Sequence, residues 1–430
     1  MRIERLTLTG ADEAPACASR IRVLAPMRTA VEEAVAGIVE QVRTEGDAAV
    51  IEFTHRFDTA DRPPRPLRVD PADLSAALEG CDPELRSALE LARANVERTA
   101  RAGLGADEQV ELDQGQRILI RERPVRRAGL YVPGGRAPYP STVVMSATTA
   151  RVAGVKEVVV CSPPGPDGDL HPAILAACAL CQVDAVFRMG GAQAIAALAY
   201  GTQTVPRVDV VAGPGSLYVQ EAKRLVSGDV GIDGFQGPSD LVVLLDSANP
   251  EILSWISLDL LAQAEHGAES LVVAVATDPG ALDALADLLA AGATEKSGPA
   301  ALVHAPDLDS SLALAEAFAP EHLQLVGAGA EALAGRVTSA GCLFVGAESA
   351  TAFGDYVAGS NHVLPTAGAA RFASTLSPRH FRRRMAEVRI GPAAAALAGA
   401  GAAIARAEGF ETHARSMEAR APAVGENRSA

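Results

Sequence analysis

The 430-residue chain contains no apolar run that approaches the roughly 20 residues a membrane-spanning helix needs. Its N-terminus alternates like a short strand and lacks the apolar core of a signal peptide. Acidic residues outnumber basic residues by 53 to 38, and a formal net charge of −15 disfavours a surface for nucleic acid or anionic membranes. We therefore expect a cytoplasmic protein that binds neither nucleic acid nor membranes.

Cysteine is scarce, with six residues scattered along the chain. Cys178 and Cys181 form a lone C-x-x-C, whereas a zinc ribbon would need a second pair. Because the surrounding Ala, Ile and Leu residues are typical of an apolar helix, we interpret the two cysteines as buried free thiols. A secreted disulfide framework is not expected at this chain length.

Aromatic residues are also few, at 4% of the chain, although hydrophobic residues make up 48%. The core must then consist mainly of Ala, Val, Leu and Ile, as in α/β proteins with buried strands. Strand-like runs separated by helical ones lie at 156–161, 184–188 and 208–212, and again from 240 to 345. This alternation predicts mostly parallel sheets covered by helices on both faces, in two doubly wound α/β blocks.

The two ends of the chain differ from this alternating middle. Helices are expected over 28–44 and 83–103, followed by a hairpin whose second arm spans 116–123. The tail from 378 is rich in Ala and Arg and loses strand character. It is expected to be a helical arm, with a break at Gly391-Pro392, of a kind suited to packing on a partner subunit.

A dinucleotide fingerprint of the form G-x-G-x-x-G is absent, but two other glycine turns are well placed. The string 129–135 follows a strand-like run, and 213–216 (GPGS) follows one strand and opens the next helix. A glycine turn ahead of a helix exposes backbone N–H groups and the positive end of the helix dipole, which suits a pyrophosphate. Each turn alone is an ordinary connection. Together, at the carboxyl ends of neighbouring strands, they indicate a ligand crevice.

Histidine is rare as well, with eight residues, four of them in polar settings inside apolar neighbourhoods. Gln263 and His266 are three positions apart at the end of an amphipathic run, 252–261, so we expect both side chains on one helix face. An imidazole nitrogen and a carboxamide oxygen form half of a divalent-metal site, which Asp355 and His413 are candidates to complete. Mixed ligands of this type suit zinc, with manganese or cobalt as alternatives.

Each of these polar groups also has a simpler interpretation. Glu321 and His322 are suited to capping a strand, and Asn361 with His362 is typical of turn chemistry. His413 on a charged helix is typical of a solvated surface residue. Spacing alone does not link these groups into one site.

Five strings together carry a resemblance to a known family, and their joint occurrence in this order is improbable by chance. The sequence resembles the histidinol dehydrogenases over nearly its whole length. The strings are 129–135 (GLYVPGG), 190–202 (GGAQAIAALAYGT), 261–267 (LAQAEHG), 319–323 (APEHL) and 360–366 (SNHVLPT).

The resemblance implies a zinc-containing, NAD-dependent oxidoreductase that converts L-histidinol to L-histidine through L-histidinaldehyde, the last steps of histidine biosynthesis. The implied acid/base pair is Glu321 and His322. The implied zinc ligands are Gln263, His266, Asp355 and His413. The implied substrate-binding residues are Ser239, His322, Glu408 and the four zinc ligands. The implied NAD contacts are Tyr131, Gln193 and Ser216.

The resemblance also implies a homodimer with incomplete Rossmann-like domains, in which the C-terminal segment of each subunit reaches the partner's active site. Glu408 and His413 would then act in the other subunit. The implied division is an N-terminal segment 1–20, a first α/β domain 21–128 plus 237–377 with most zinc ligands and catalytic residues, a second α/β domain 129–236 on the NAD side, and a helical arm 378–430.

Two positions depart from the family's pattern. Ser216 stands where the family usually has Asn after Gly-Pro-Gly, and a hydroxyl cannot present the paired donor and acceptor of an amide. Asp240 stands where the family usually has Glu, which keeps the charge on a shorter side chain. The first departure bears on NAD binding, the second on the surroundings of Ser239.

The implied chemistry assigns a separate step to each member of the acid/base pair. A neutral imidazole, with a pKa of about 6.5, suits His322 to remove the alcohol proton. Glu321 is the candidate base for the water that hydrates the aldehyde. Zinc is expected to orient the substrate's imidazole and amino group.

Three rival functions remain open at this point. A paralogous NAD-dependent dehydrogenase would act on another amino alcohol or diol. A zinc hydrolase would use Glu321 as the water base, but the chain lacks H-E-x-x-H and the glycine turns would be unexplained. A non-catalytic metabolite-binding relative is disfavoured by the intact pair of Glu321 and His322.

Overall fold

The computed structural model describes residues 1–25, 31–59, 62–63, 65–135, 137–234 and 238–421. The strands are β1 Ile3–Thr7, β2 Glu108–Glu111, β3 Arg117–Pro124, β4 Arg127–Tyr131, β5 Glu157–Ser162, β6 Ala185–Arg188, β7 Val210–Ala212, β8 Gly231–Ile232, β9 Asp240–Leu245, β10 Leu271–Ala276, β11 Ala300–His304, β12 His322–Val326, β13 Cys342–Val345 and β14 Arg382–Arg389.

The α-helices are α1 Ala14–Arg22, α2 Glu32–Glu45, α3 Asp47–Thr54, α4 Pro71–Glu79, α5 Pro83–Ala102, α6 Pro140–Val152, α7 Pro172–Leu180, α8 Gly191–Tyr200, α9 Leu217–Val226, α10 Pro250–Ala264, α11 Pro279–Gly292, α12 Leu308–Phe318, α13 Ala328–Glu331, α14 Thr351–Tyr356, α15 Ala394–Ala407 and α16 Glu411–Glu418. Among the described residues, none of these helices has both the length and the apolar character required to cross a membrane. The predicted helix over 28–44 corresponds to α2, and positions 28–30 lie outside the described residues.

The chain forms two compact units, Met1–Gly103 with Val125–Phe381 and Leu104–Pro124 with Arg382–Ala430. The first unit holds a six-stranded parallel sheet of order β1-β11-β10-β9-β12-β13. Successive residues of β10 enter different cores, since Val273 packs with α1 and α12 while Val272 packs with α10 and α11. Helices therefore cover both faces of this sheet, which is why its strands are continuous apolar runs.

The first unit also holds a five-stranded parallel sheet of order β6-β5-β4-β7-β8. Val160 of β5 packs in the core with α5, α6 and α7, and its neighbour Val159 packs with α2, α3, α8 and α9. The predicted class, a parallel α/β fold with a helical C-terminal segment, is confirmed. The predicted strands at 156–161, 184–188 and 208–212 match β5, β6 and β7 within two residues at each end.

The packing differs from the predicted grouping of the chain. Helices α2 to α5 were assigned by sequence to the block that contains 237–377, but they pack on the five-stranded sheet. Strand β1 and helix α1, predicted as a separate N-terminal segment, belong to the six-stranded sheet and its core. The reason is that an apolar helix face shows that a helix is covered and does not show which sheet covers it. The domain boundaries themselves stay a prediction.

The second unit contains an antiparallel sheet of order β14-β3-β2. The predicted hairpin is confirmed as β2 and β3. The predicted loss of strand character after 378 is wrong for β14, which pairs with β3 along its whole length. This strand is mostly exposed and rich in arginine, and cross-strand ion pairs stabilise it, with Arg382 and Arg384 on Glu122 and Glu387 on Arg121. Helices α15 and α16 follow, as predicted.

All six cysteines are unpaired in the described chain. Cys178 lies in α7 and Cys181 caps its end, and both are buried. Burial raises the pKa of both thiols, to about 11 for Cys181. The prediction of buried free thiols is confirmed.

Candidate active site

A cavity of about 1150 Å³ is lined by residues from both parallel sheets. The five-stranded sheet contributes the carboxyl ends of β4 and β7, with Tyr131 and residues 214–217. This is the crevice expected in an open α/β sheet. The six-stranded sheet contributes the amino ends of β9 and β12, with Ser239 and Glu321, which that rule does not predict.

The predicted glycine turn after β7 depends on the absence of a side chain. Gly213 has φ 122°, and a Cβ added there would lie 2.1 Å from the carbonyl oxygen of Tyr131. Ser216 is the N-cap residue of α9, but its side chain makes no capping hydrogen bond. Ser216 lines the cavity at the N-terminal end of this helix.

The other two predicted NAD contacts meet at the start of α8. The hydroxyl of Tyr131 accepts a hydrogen bond from the backbone N–H of Gly191 at 3.2 Å. The buried Gln193 folds back over the same glycine, where a Cβ would lie 2.8 Å from its Oε1. Tyr131, Gln193 and Ser216 all line the cavity, so one surface holds the three side chains.

Glu321 is the centre of a hydrogen-bond chain at the amino ends of β9 and β12. The Ser239 hydroxyl donates to Glu321 Oε2, and the Gln263 amide donates to Ser239 Oγ, both in short contacts. The backbone N–H of Asp240 also donates to Glu321 Oε2, at 3.1 Å. The Glu321 side chain is thus held in one orientation, and only 6% of its surface is exposed.

His322 begins β12 and lies between two carboxylates. Its Nδ1 is 3.6 Å from Glu321 Oε2 and 3.3 Å from the carbonyl oxygen of Asp240, and its Nε2 is 3.4 Å from Asp355 Oδ1. Among the described residues, the buried Nε2 has no hydrogen-bond partner. The contact of this nitrogen with Asp355 is an ion pair at 3.4 Å, which leaves its hydrogen-bonding capacity open to a ligand hydroxyl.

The electrostatics of this pair follow from burial and mutual charge. Burial raises the pKa of Glu321, against the opposing effect of His322. Burial lowers the pKa of His322, but the charges of Glu321 and Asp355 outweigh it and the pKa is raised. In its deprotonated form each group is therefore a stronger base than it would be in water, as expected of acid/base groups in a cleft.

Asp240, one of the two departures from the family pattern, supports the pair from behind. Its Oδ1 accepts the backbone N–H of Glu321 at 2.6 Å, and its Oδ2 lies 3.6 Å from Arg22. Only 3% of its surface is exposed. The shorter carboxylate is therefore used inside the protein, in fixing the backbone that carries Glu321 and His322. Sequence reasoning did not assign this role.

Gln263 lies in the last turn of α10, and His266 lies beyond it. The helix begins at the capping residue Asn249, whose side chain accepts the N–H of Glu251 at 2.9 Å, and it ends at Ala264. The prediction that Gln263 and His266 share a helix face is therefore wrong in detail. His266 follows in a turn, where its N–H bonds to the Gln263 carbonyl at 3.4 Å.

Asp355, in α14, is the third predicted metal ligand in the first unit. Its charge acts on both His266 and His322, and these groups lower the pKa of Asp355 against the effect of burial. Within the described residues, no group of three or more His, Cys, Asp and Glu is arranged to hold a metal ion. The predicted ligands in the first unit are the Asp355 carboxylate, the His266 imidazole and the Gln263 amide oxygen.

Asn361 and His362 follow α14, the helix that contains Asp355. The His362 Nδ1 lies 2.9 Å from the carbonyl oxygen of Asp355, and its Nε2 lies 3.0 Å from Thr142 Oγ1. Asn361 Oδ1 accepts the N–H of Val363 at 3.0 Å. Asn361 thus forms a turn bond, as predicted, whereas both ring nitrogens of His362 contact groups outside the turn, on α14 and α6.

Glu408 and His413 belong to the second unit. Glu408 is the C-cap residue of α15, and His413 lies in α16, with both side chains exposed. The His413 ring contacts Phe410, with 5.2 Å between the ring centroids. Arg406 holds the two helices together through ion pairs with Glu411 and Glu418.

Comparison with known proteins agrees with this geometry. The sequence profile of the histidinol dehydrogenase family matches residues 25–421. The chain is 44% identical over 406 residues to the histidinol dehydrogenase of Aromatoleum aromaticum, with 91% of each chain covered. It is 45% identical over 395 residues to that of Parasynechococcus marenigrum, with 89% of each covered. The fold is similar to the crystal structure of histidinol dehydrogenase from Elizabethkingia anophelis, with a TM-score of 0.88, 30% identity and coverage of 96% of this chain and 97% of that one.

Proposed function

The chain belongs to the histidinol dehydrogenase family, and from this premise we propose which residues carry out the oxidation of L-histidinol to L-histidine. In the first step a hydride leaves the alcohol carbon for NAD while the hydroxyl proton passes to a base. Water then adds to the aldehyde, and the hydrate gives a second hydride to a second NAD and a proton to a base. Two correctly placed proton acceptors are therefore needed.

The observation that carries the proposal is the arrangement of Glu321 and His322 on the wall of the same cavity as the glycine turn. We assign the alcohol proton to His322, because this imidazole lines the cavity and its Nε2, 3.4 Å from Asp355, makes no hydrogen bond among the described residues. We assign the activation of water to Glu321, since Ser239 and the Asp240 N–H fix its orientation. Ser239 also reaches the cavity and is assigned to substrate binding.

For the cofactor, we propose that NAD lies along the carboxyl ends of β4 and β7. Tyr131, Gln193 and Ser216 line this part of the cavity, and the turn before α9 offers backbone N–H groups to the pyrophosphate. The reacting end of NAD would then point towards Glu321 and His322, which line the same cavity.

For the metal, we propose that Gln263, His266, Asp355 and His413 hold one zinc ion. The donors fit this role, because Ser239 takes up the amide nitrogen of Gln263 and leaves its oxygen as a ligand, and Asp355 lies within electrostatic reach of His266. When bound, zinc orients the imidazole and amino group of the substrate.

We further propose a homodimer with shared active sites, in which the arm of one protomer supplies Glu408 and His413 to its partner. In support, both side chains are exposed on their own unit, and the first unit provides three of the four proposed ligands. Glu408 is assigned to the substrate. The unpaired cysteines are in keeping with a cytoplasmic location, which we also propose.

The direct test of the proposed function is the appearance of reduced nicotinamide absorbance when the protein is mixed with NAD and L-histidinol. We expect two NADH per histidinol consumed, and loss of the signal after treatment with a chelator. A matched reaction with L-histidinaldehyde should give one NADH. Turnover of another amino alcohol at a higher kcat/KM than L-histidinol would contradict the assigned substrate.

The Ser216→Asn substitution tests the proposed cofactor side of the cavity. Because the Ser216 hydroxyl makes no capping bond, an amide can replace it and offer both a donor and an acceptor to NAD. We expect the KM for NAD to fall by about threefold to tenfold, since one hydrogen bond contributes about 0.5–1.5 kcal/mol. The KM for L-histidinol should be unchanged. An equal change in both constants would argue against a cofactor contact at this position.

A further inference from the structure

The cavity turn at Gly213 is held from behind by two charged side chains. Strand β7 ends at Ala212, and the next N–H and carbonyl leave the strand ladder. The Gly213 N–H donates to Asp233 Oδ2 at 2.7 Å, and its carbonyl accepts from Lys223 Nζ at 2.9 Å. One ion pair therefore binds both backbone polar groups of a single turn residue.

The ion pair itself is completely buried. Lys223 Nζ contacts Asp233 Oδ1 in a short hydrogen bond, and both side chains are 0% exposed. Lys223 comes from α9, whereas Asp233 follows β8, so the pair joins two elements that flank the turn. Burial lowers the pKa of Lys223, and Asp233 opposes this effect.

A buried ion pair is weak evidence for stability, because desolvation of two charges offsets their attraction. Apolar residues of similar volume would fill the same space without the cost of desolvating two charges. What they could not supply is a donor for the Gly213 carbonyl and an acceptor for its N–H. The chemistry of the pair is therefore matched to the backbone of the turn.

We propose that Lys223 and Asp233 are positioning residues for the cofactor, which hold the turn at 213–216 in its binding conformation before NAD arrives. The inference rests on the proposed function of this turn as an NAD site. Gly213 packs against the Tyr131 carbonyl, and three residues later Ser216 is the N-cap residue of α9. A fixed Gly213 thus fixes the spacing between two of the proposed NAD contacts.

The physical benefit is preorganisation. A glycine-rich turn has many conformations, and ordering it on binding would weaken the affinity for the ligand. The ion pair orders the turn during folding instead, so the ligand need not order Gly215 and Ser216, which line the cavity. Neither side chain lines the cavity, so their effect on NAD passes through Gly213.

The test uses the double variant Lys223→Met/Asp233→Asn, which removes both charges together and leaves no uncompensated buried charge. We expect the full-length protein to bind NAD about tenfold more weakly by calorimetry, since the turn must now be ordered on binding. The affinity for L-histidinol in the zinc-loaded protein should stay within about twofold. Hydrogen exchange of the amides at 213–217, without any ligand, should become faster.

Val226→Ala is the matched control, because Val226 is fully buried in the same helix α9 but lies outside the hydrogen bonds of Gly213. If this control weakens NAD binding as much as the double variant does, the pair has only a general structural role and the inference is wrong. If the double variant does not fold, Lys223→Leu/Asp233→Asn, which also leaves no buried charge, provides the same two measurements.

The outcomes separate this inference from the proposed function. Wild-type protein that fails to bind NAD overturns both. Wild-type protein that binds NAD, with a double variant that binds it equally well and shows unchanged hydrogen exchange at 213–217, overturns only the positioning role. Weaker NAD binding with faster exchange, and neither effect in Val226→Ala, supports it.

Discussion

The Glu321→Gln variant is expected to lose about a thousandfold of kcat for the complete oxidation of L-histidinol, within the range for removal of a general base. The amide keeps an oxygen that can accept from Ser239 and from the Asp240 N–H, so the local geometry should survive. It cannot take a proton from water. The first oxidation, assigned to His322, should lose much less than the second.

Stopped-flow measurement of NADH formation, started separately from L-histidinol and from L-histidinaldehyde, checks this assignment. We expect a near-normal first phase from the alcohol and a strongly slowed reaction from the aldehyde. Glu295→Gln, an identical substitution at an exposed position, should react like the wild type in both. Equal losses in the two reactions would show that Glu321 does not act selectively on water.

The His413→Asn variant is expected to bind zinc at least about a hundredfold more weakly, since even residues outside the coordination sphere contribute about ten- to a hundredfold. Removal of one ligand of four leaves the amide, imidazole and carboxylate of the first unit, which is a poor set for zinc. Elemental analysis after dialysis measures the effect. His55→Asn, at an exposed position, should retain the metal. An unchanged zinc content in His413→Asn would exclude the ligand role.

The same variant tests whether the site is shared between protomers. Mixing His413→Asn with Glu321→Gln, after subunit exchange, yields heterodimers with one site that carries both native residues only if His413 acts on the partner. Half of the dimers are mixed and half of their sites are restored, so activity should recover to about a quarter of the wild type. No recovery would place His413 in the site of its own chain.

The sequence was sufficient to predict the parallel sheets, because buried strands such as β9 are continuous runs of Val and Leu. It also predicted Glu321, His322 and Gln263 as site residues, through strings whose order is informative. The grouping of α2 to α5 with the five-stranded sheet could not be predicted, since an apolar helix face fits either sheet equally well.

Two further features escaped prediction for different physical reasons. Strand β14 lies at a sheet edge and is stabilised by ion pairs, so its sequence shows arginines where a buried strand shows a continuous apolar run. Lys223 lies in helix α9 and Asp233 follows the short strand β8. Charged residues at such positions are usually solvated. Only the three-dimensional structure shows that both are buried against Gly213.

The antiparallel sheet has a consequence for how the protein folds while it is being synthesised. Arg384 of β14 and Glu122 of β3 form an ion pair across 262 residues of sequence. At about 5–20 residues per second, the ribosome needs roughly 10 to 50 s between the two. During that time the nascent hairpin of β2 and β3 exposes a free edge that could recruit another chain. Arg117, Arg121 and Arg123 on β3 are charged residues of the kind that prevent such pairing. Arg121 later forms an ion pair with Glu387 of β14, so the same side chain first protects this edge and then binds the strand that covers it.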